Sequence, residues 1–122
     1  MPIVDVEIVG PLAEAARAGL AQRIADAIGV ALNSRPQGTW VKVRFLDDGA
    51  YAESGAGPPE GAKPVFVSVQ LAELPAGDVL SQQALQLATA VAEACGRSSE
   101  SVHIVFEPAA LGRVAFGGHL QK

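Results

Sequence analysis

Apolar and polar residues alternate along the opening segment IVDVEIV, with Val4, Val6 and Ile8 on one side and Asp5 and Glu7 on the other. A period of two is the mark of a half-buried strand, here expected over about Pro2 to Val9. From Pro11 onward the period lengthens. Leu20, Ile24, Ala27, Ile28 and Ala31 fall at helical spacing, with Pro11 suited to a first turn. The helix is expected to end near Asn33, because Pro36 biases Arg35 away from helix. Alternation returns in TWVKVRFLDD, where Val41, Val43 and Phe45 oppose Lys42, Arg44 and Leu46 as a second strand.

The stretch GAYAESGAGPPEGAK has no period and is rich in Gly and Pro, so it reads as a linker over about residues 48–63. Beyond it the pattern starts again. In VFVSVQLAE, Val67, Val69 and Leu71 share one face against Ser68 and Gln70, and match Val4, Val6 and Ile8. A second helix follows, with Asp78 as its expected N-cap, Leu80, Ala84, Leu87, Val91 and Ala94 as its buried stripe, and Gly96 past its end. SVHIVFEP then places Val102, Ile104 and Phe106 where Val41, Val43 and Phe45 stood. The tail LGRVAFGGHLQK carries a Gly-Gly turn signal for a short hairpin or edge strand.

Two β-α-β units, about 2–47 and 65–118, thus make one expected domain over 1–122. Right-handed crossovers make the strands of each unit parallel and let both units join one sheet. The predicted class is α+β in two layers, a four-stranded sheet with two helices on one face. Asp5, Glu7, Lys42, Arg44, Ser68, Gln70 and His103 would then share the uncovered face with Ile3 and Phe66. Such a face suits either solvent or the partly wet interior of an oligomer.

At 122 residues and 49% hydrophobic, the chain has room for one core. A net charge of -4 without basic clusters argues against nucleic acid and anionic membranes as partners. No apolar run reaches membrane-spanning length, and the opening residues lack the basic start and apolar stretch of a secretory signal, so a cytoplasmic protein is expected. Cys95 is the single cysteine, which excludes an intrachain disulfide. His103 and His119 are too few for a metal cluster, and GAGPPEG lacks the lysine and the strand-to-helix setting of a phosphate loop. No cofactor and no metal are expected.

Pro2 directly before IVDVEIV, the tandem β-α-β units and the glycine-containing VAFGG after the last strand together resemble the tautomerase superfamily. Its founding members include 4-oxalocrotonate tautomerase and macrophage migration inhibitory factor. The resemblance implies a homotrimer around a barrel-like interior, with active sites near subunit boundaries. It also implies that Pro2, freed by removal of Met1, is the catalytic general base. Such a base interconverts keto and enol forms of a small carbonyl substrate, and needs cations or donors for the enolate oxygen and a substrate carboxylate. Arg35, Lys42, Arg44, His103 and Arg113 are the available residues. Lys42 and His103 hold the place of a substrate-contacting basic residue on the strand after each helix, and Arg35 lies near the place of a functional lysine in the loop before that strand. Lys42 and Arg44 read equally as ordinary strand charges, and His103 as a packed or interface histidine. Trp40 and Tyr51 would wall an apolar pocket around Pro2 or simply pack.

The family's arginine at the start of the first helix is missing, since Leu12 stands there, and ELPAG offers none in the second unit. The relatives that decarboxylate malonate semialdehyde or dehalogenate haloacrylates carry such arginines, so those reactions and diacid substrates are disfavoured. The resemblance therefore implies tautomerisation of a phenylpyruvate-like 2-oxo acid. The alternatives are a non-catalytic ferredoxin-like ligand-binding module and an inactive tautomerase-like scaffold trimer.

Overall fold

The computed structural model describes residues 2–55 and 63–122; Met1 and part of the expected linker lie outside them. Strand β1 spans Ile3–Val9, a one-turn helix α1 Glu14–Arg17, helix α2 Leu20–Ala31 and strand β2 Trp40–Leu46. The second unit contributes β3 (Val65–Gln70), α3 (Gly77–Cys95) and β4 (Val102–Phe106), followed by the hairpin β5 (Ala115–Phe116) and β6 (His119–Leu120).

The four long strands form one sheet in the order β2-β1-β3-β4. β1 runs parallel to β2 and β3 parallel to β4, while the two units meet through the antiparallel pair β1–β3. Alternation decides which side of each strand is covered. Val4, Val6 and Ile8 of β1 and Val65, Val67 and Val69 of β3 are buried with Leu20, Ile24 and Ile28 of α2 and Leu87, Val91 and Cys95 of α3. Each aliphatic side chain buried this way contributes roughly 1.5–3 kcal/mol. Both helices lie on this face, as the pattern predicts, and the opposite face keeps Asp5, Glu7, Lys42, Arg44 and His103 partly or fully exposed.

Val6 faces Val67 across the centre of the antiparallel pair. Val6 also pairs with Val43, and Val67 with Ile104, so the two units correspond with Val67 in the place of Val6. The sequence match of Val67 to Val4 is therefore one pleat out of step. Because side chains repeat every two residues, such a slip preserves the faces and is invisible to alternation alone. Val65, fully buried, takes the place given to Val67, and Leu71 falls after the strand end.

The first helix departs from expectation at its start. The chain turns out of α1 at Gly19, whose φ of 66° is open to glycine and costly for other residues. Arg23 then reaches back, its guanidinium donating to the carbonyls of Ala18 and Ala16, the latter at 2.6 Å, which the break leaves without helical partners. Pro11 precedes both helices and opens neither. In the second unit the N-cap is Ala76, and Asp78 sits in the first turn of α3 without a capping hydrogen bond. Gly96 ends α3 in the left-handed conformation, with the Arg97 N–H donating to Ala92 O at 3.0 Å. Gly117 and Gly118, both at positive φ, turn the β5–β6 hairpin. Among the described residues no helix is long and apolar enough to cross a membrane.

Candidate active site

Pro2 lies at the head of a central strand, where the antiparallel pairing of Ile3 with Gln70 brings the end of β3 alongside it. Its carbonyl accepts from the Trp40 N–H at 3.0 Å, which ties it to the head of β2 as well. The residue is buried, although it borders a cleft of about 410 Å³. Leu32, Asn33 and Ser34 from the end of α2 form one wall, Leu71, Ala72, Glu73 and Pro75 after β3 form another, and Gln83 of α3 completes it. Pro2 thus shares its cleft with the apolar side chains of Leu32 and Leu71 and with the polar ones of Asn33, Ser34, Glu73 and Gln83.

Among the described residues Glu73 is the one acidic or basic side chain lining the cleft, and it is exposed. Gln83 is different in kind. Its Oε1 is shielded from solvent and, among the described residues, accepts no hydrogen bond. Sequence reading passed over Gln83, although its place one turn before Leu87 on a stripe of buried residues was a signal.

Of the candidate site residues, Pro2 alone is among the described residues lining this cleft. Arg35 and Trp40 border a larger groove of about 930 Å³ on the far side of Asn33 and Ser34, two residues that line both spaces. Trp40 donates its indole N–H to Gln37 O at 3.2 Å and meets Phe116 of the hairpin edge-on, with ring centres 5.3 Å apart. Ser34 and Thr39 hydroxyls, 2.6 Å apart, brace the loop between α2 and β2.

Lys42 and Arg44 project from the uncovered sheet face. Lys42 Nζ stands 3.2 Å from Asp5 Oδ1, a charge contact in which the oxygen receives no aligned hydrogen bond. Arg44 Nη2 stands 3.5 Å from Glu7 Oε2. Both cations are largely exposed, and exposed pairs of this kind contribute at most about 1 kcal/mol. The cross-strand register sets both contacts, because Asp5 pairs with Lys42 and Glu7 with Arg44. His103, on the same face, continues an aromatic row. Its ring centre lies 5.5 Å from that of Phe66, which lies 5.6 Å from that of Tyr51. The Tyr51 hydroxyl donates to Glu53 at 2.6 Å, and this hydrogen bond raises the phenol above its ordinary pKa. Arg113 is exposed in the turn before β5. The fold thus gathers three of the candidate residues, Lys42, Arg44 and His103, on the open face and leaves Arg35, Trp40 and Arg113 at other places.

Among the described residues no group of three or more His, Cys, Asp or Glu side chains is placed to hold a metal ion. Cys95 is buried, which raises its thiol pKa and favours the unreactive neutral form.

No protein-family model matches the chain, and no curated protein matches it. Solved structures match it over nearly its whole length. Pt0534 inactivated by 2-oxo-3-pentynoate has a TM-score of 0.78 at 15% identity, over 98% of this chain and 94% of that one. The wild-type fused 4-OT symmetric trimer has a TM-score of 0.78 at 18% identity, with the same coverage of 98% and 94%. The macrophage migration inhibitory factor homologue from Prochlorococcus marinus has a TM-score of 0.72 at 12% identity, over 98% of this chain and 99% of that one. The chain therefore shares its fold with the fused 4-OT and macrophage migration inhibitory factor homologue structures.

Proposed function

We propose that the protein is a cofactor-independent keto–enol tautomerase of small carbonyl acids, with the Pro2 amine as its general base once Met1 is removed. The observation that carries this reading is the burial of Pro2 at the head of β1, on a cleft, in the tautomerase fold. A free α-amino group ordinarily titrates at about 8, and an apolar surrounding favours its neutral form. The neutral secondary amine takes a proton from the carbon beside a ketone. The C–H pair becomes the carbon–carbon double bond, the carbonyl oxygen takes the negative charge and then a proton, and the reverse sequence regenerates the ketone.

The enolate oxygen and a substrate carboxylate need donors, and among the described residues no lysine, arginine or histidine lines the cleft of a single chain. Wild-type fused 4-OT forms trimers. We therefore propose a homotrimer in which a neighbouring chain brings cations from its open sheet face or hairpin segment, where Lys42, Arg44, His103 and Arg113 stand. A phenylpyruvate-like 2-oxo acid, with one carboxylate and one apolar group, suits such a site.

Pt0534 is inactivated by 2-oxo-3-pentynoate, and the same ynone tests the amine here. Conjugate addition forms a nitrogen–carbon bond at the far alkyne carbon, opens one π bond and passes the N–H proton to the neighbouring carbon. The expected result is a single adduct on the peptide that begins with Pro2. Unmodified Pro2, or label found on Cys95 in its place, would count against the proposal.

A further inference from the structure

Helix α3 turns Leu87, Val91 and Cys95 into the core, and Gln83 stands one turn before Leu87 on the same side. In α2 the place one turn before buried Ile24 is held by Leu20, itself buried. A carboxamide at such a place needs hydrogen-bond partners, and an orphaned acceptor calls for an explanation. Gln83 Oε1 is such an orphan among the described residues. It belongs to the lining of the Pro2 cleft.

Proline inside a peptide has no N–H to donate. With Met1 removed, the pyrrolidine nitrogen carries one N–H when neutral and two when protonated. The shielded acceptor and the new donor belong to the same cleft. We propose that Gln83 accepts a hydrogen bond from the Pro2 amine and positions it, a role that rests on the functional reading above. The contact fixes the direction in which the nitrogen lone pair points. Gln83 takes no proton itself, since a neutral amide is not a base under working conditions. Of the other polar side chains lining the cleft among the described residues, Asn33 and Ser34 are neutral and Glu73 carries a carboxyl group.

The test follows the Pro2 amine directly. Nitrogen-labelled proline allows its titration to be read by NMR in wild type, Gln83→Met and Gln83→Glu, beside the pH profile of kcat/KM for the enol of phenylpyruvate. Methionine keeps the length and removes the acceptor, so the protonated amine loses support and its midpoint falls by roughly one pH unit. Glutamate keeps an acceptor and adds negative charge, so its midpoint rises. In Gln83→Met the alkaline-rising limb of activity moves to lower pH with the midpoint, while kcat drops roughly ten-fold at nearly constant KM. A purely structural glutamine would not move the midpoint in opposite directions in the two variants. Unchanged midpoints in folded protein overturn the proposal, as does an intact mass that still includes Met1. Should Gln83→Met fail to fold, Gln83→Glu decides alone: a raised midpoint supports the contact and an unchanged one overturns it. Shifted midpoints without turnover in any form would uphold the contact and remove the tautomerase reading.

Discussion

Three backbone carbonyls converge on Arg97 at the end of the β1–β3 pair opposite Pro2. Its guanidinium donates to Val9 O at 2.8 Å, Lys63 O at 3.0 Å and Pro11 O at 3.4 Å. The planar fork suits this task because one side chain satisfies groups from three segments. Partial burial lowers the guanidinium pKa from its ordinary value, but the group keeps its proton at neutral pH. At the Pro2 end, among the described residues, no such side chain fills the space, and Leu32, Leu71 and Gln83 line a cleft. Arg97→Ala is expected to lower unfolding free energy in urea by about 2 kcal/mol, since the carbonyls lose charged donors. Arg97→Lys should recover part of that loss. A change below about 0.5 kcal/mol for the alanine variant would show that water replaces the arginine without cost.

At the level of elements, alternation made β1, β2 and β4 readable because one side of each strand meets the helices and the other does not. The glycine stop of α3 was equally plain, and its stripe was right at Leu87 and Val91, while Leu80, Ala84 and Ala94 are only partly buried and Ala92 and Cys95 complete the buried side. What escaped was local chemistry that leaves no period. The break before α2 rests on one glycine at positive φ and on Arg23 reaching back to two carbonyls. The two-residue slip in matching β3 to β1 kept every face correct, so it shows only in the pairings of Val6 with Val67 and Val43 and of Val67 with Ile104. The lining of the Pro2 cleft was legible in part. Pro2 was visible as a residue with special chemistry, whereas Gln83 was hidden because a polar residue on a helical stripe gains meaning only when its neighbours are known. The cations were visible as types, but their distribution depends on which strand side faces outward.

At the scale of the molecule, the uncovered sheet face is the unresolved half of a two-layer fold. It carries the pairs Lys42–Asp5 and Arg44–Glu7 and the aromatic row from Tyr51 to His103, with Val105 half-exposed beside them. A face so mixed suits the shared interior of the proposed trimer. Sedimentation equilibrium of the untagged protein is expected to give three times the chain mass of 12.5 kDa. A monomer at micromolar concentration would refute the trimer and with it the supply of cations from a neighbouring chain. The central claim concerns the amine. Ketonisation of the enol of phenylpyruvate should be followed with untagged wild type and Pro2→Ala, each of known intact mass. The account predicts wild type lacking Met1 and a fall in kcat/KM of at least about 100-fold in the variant. Equal rates in the two proteins, or no catalysis by wild type that has lost Met1, would contradict it.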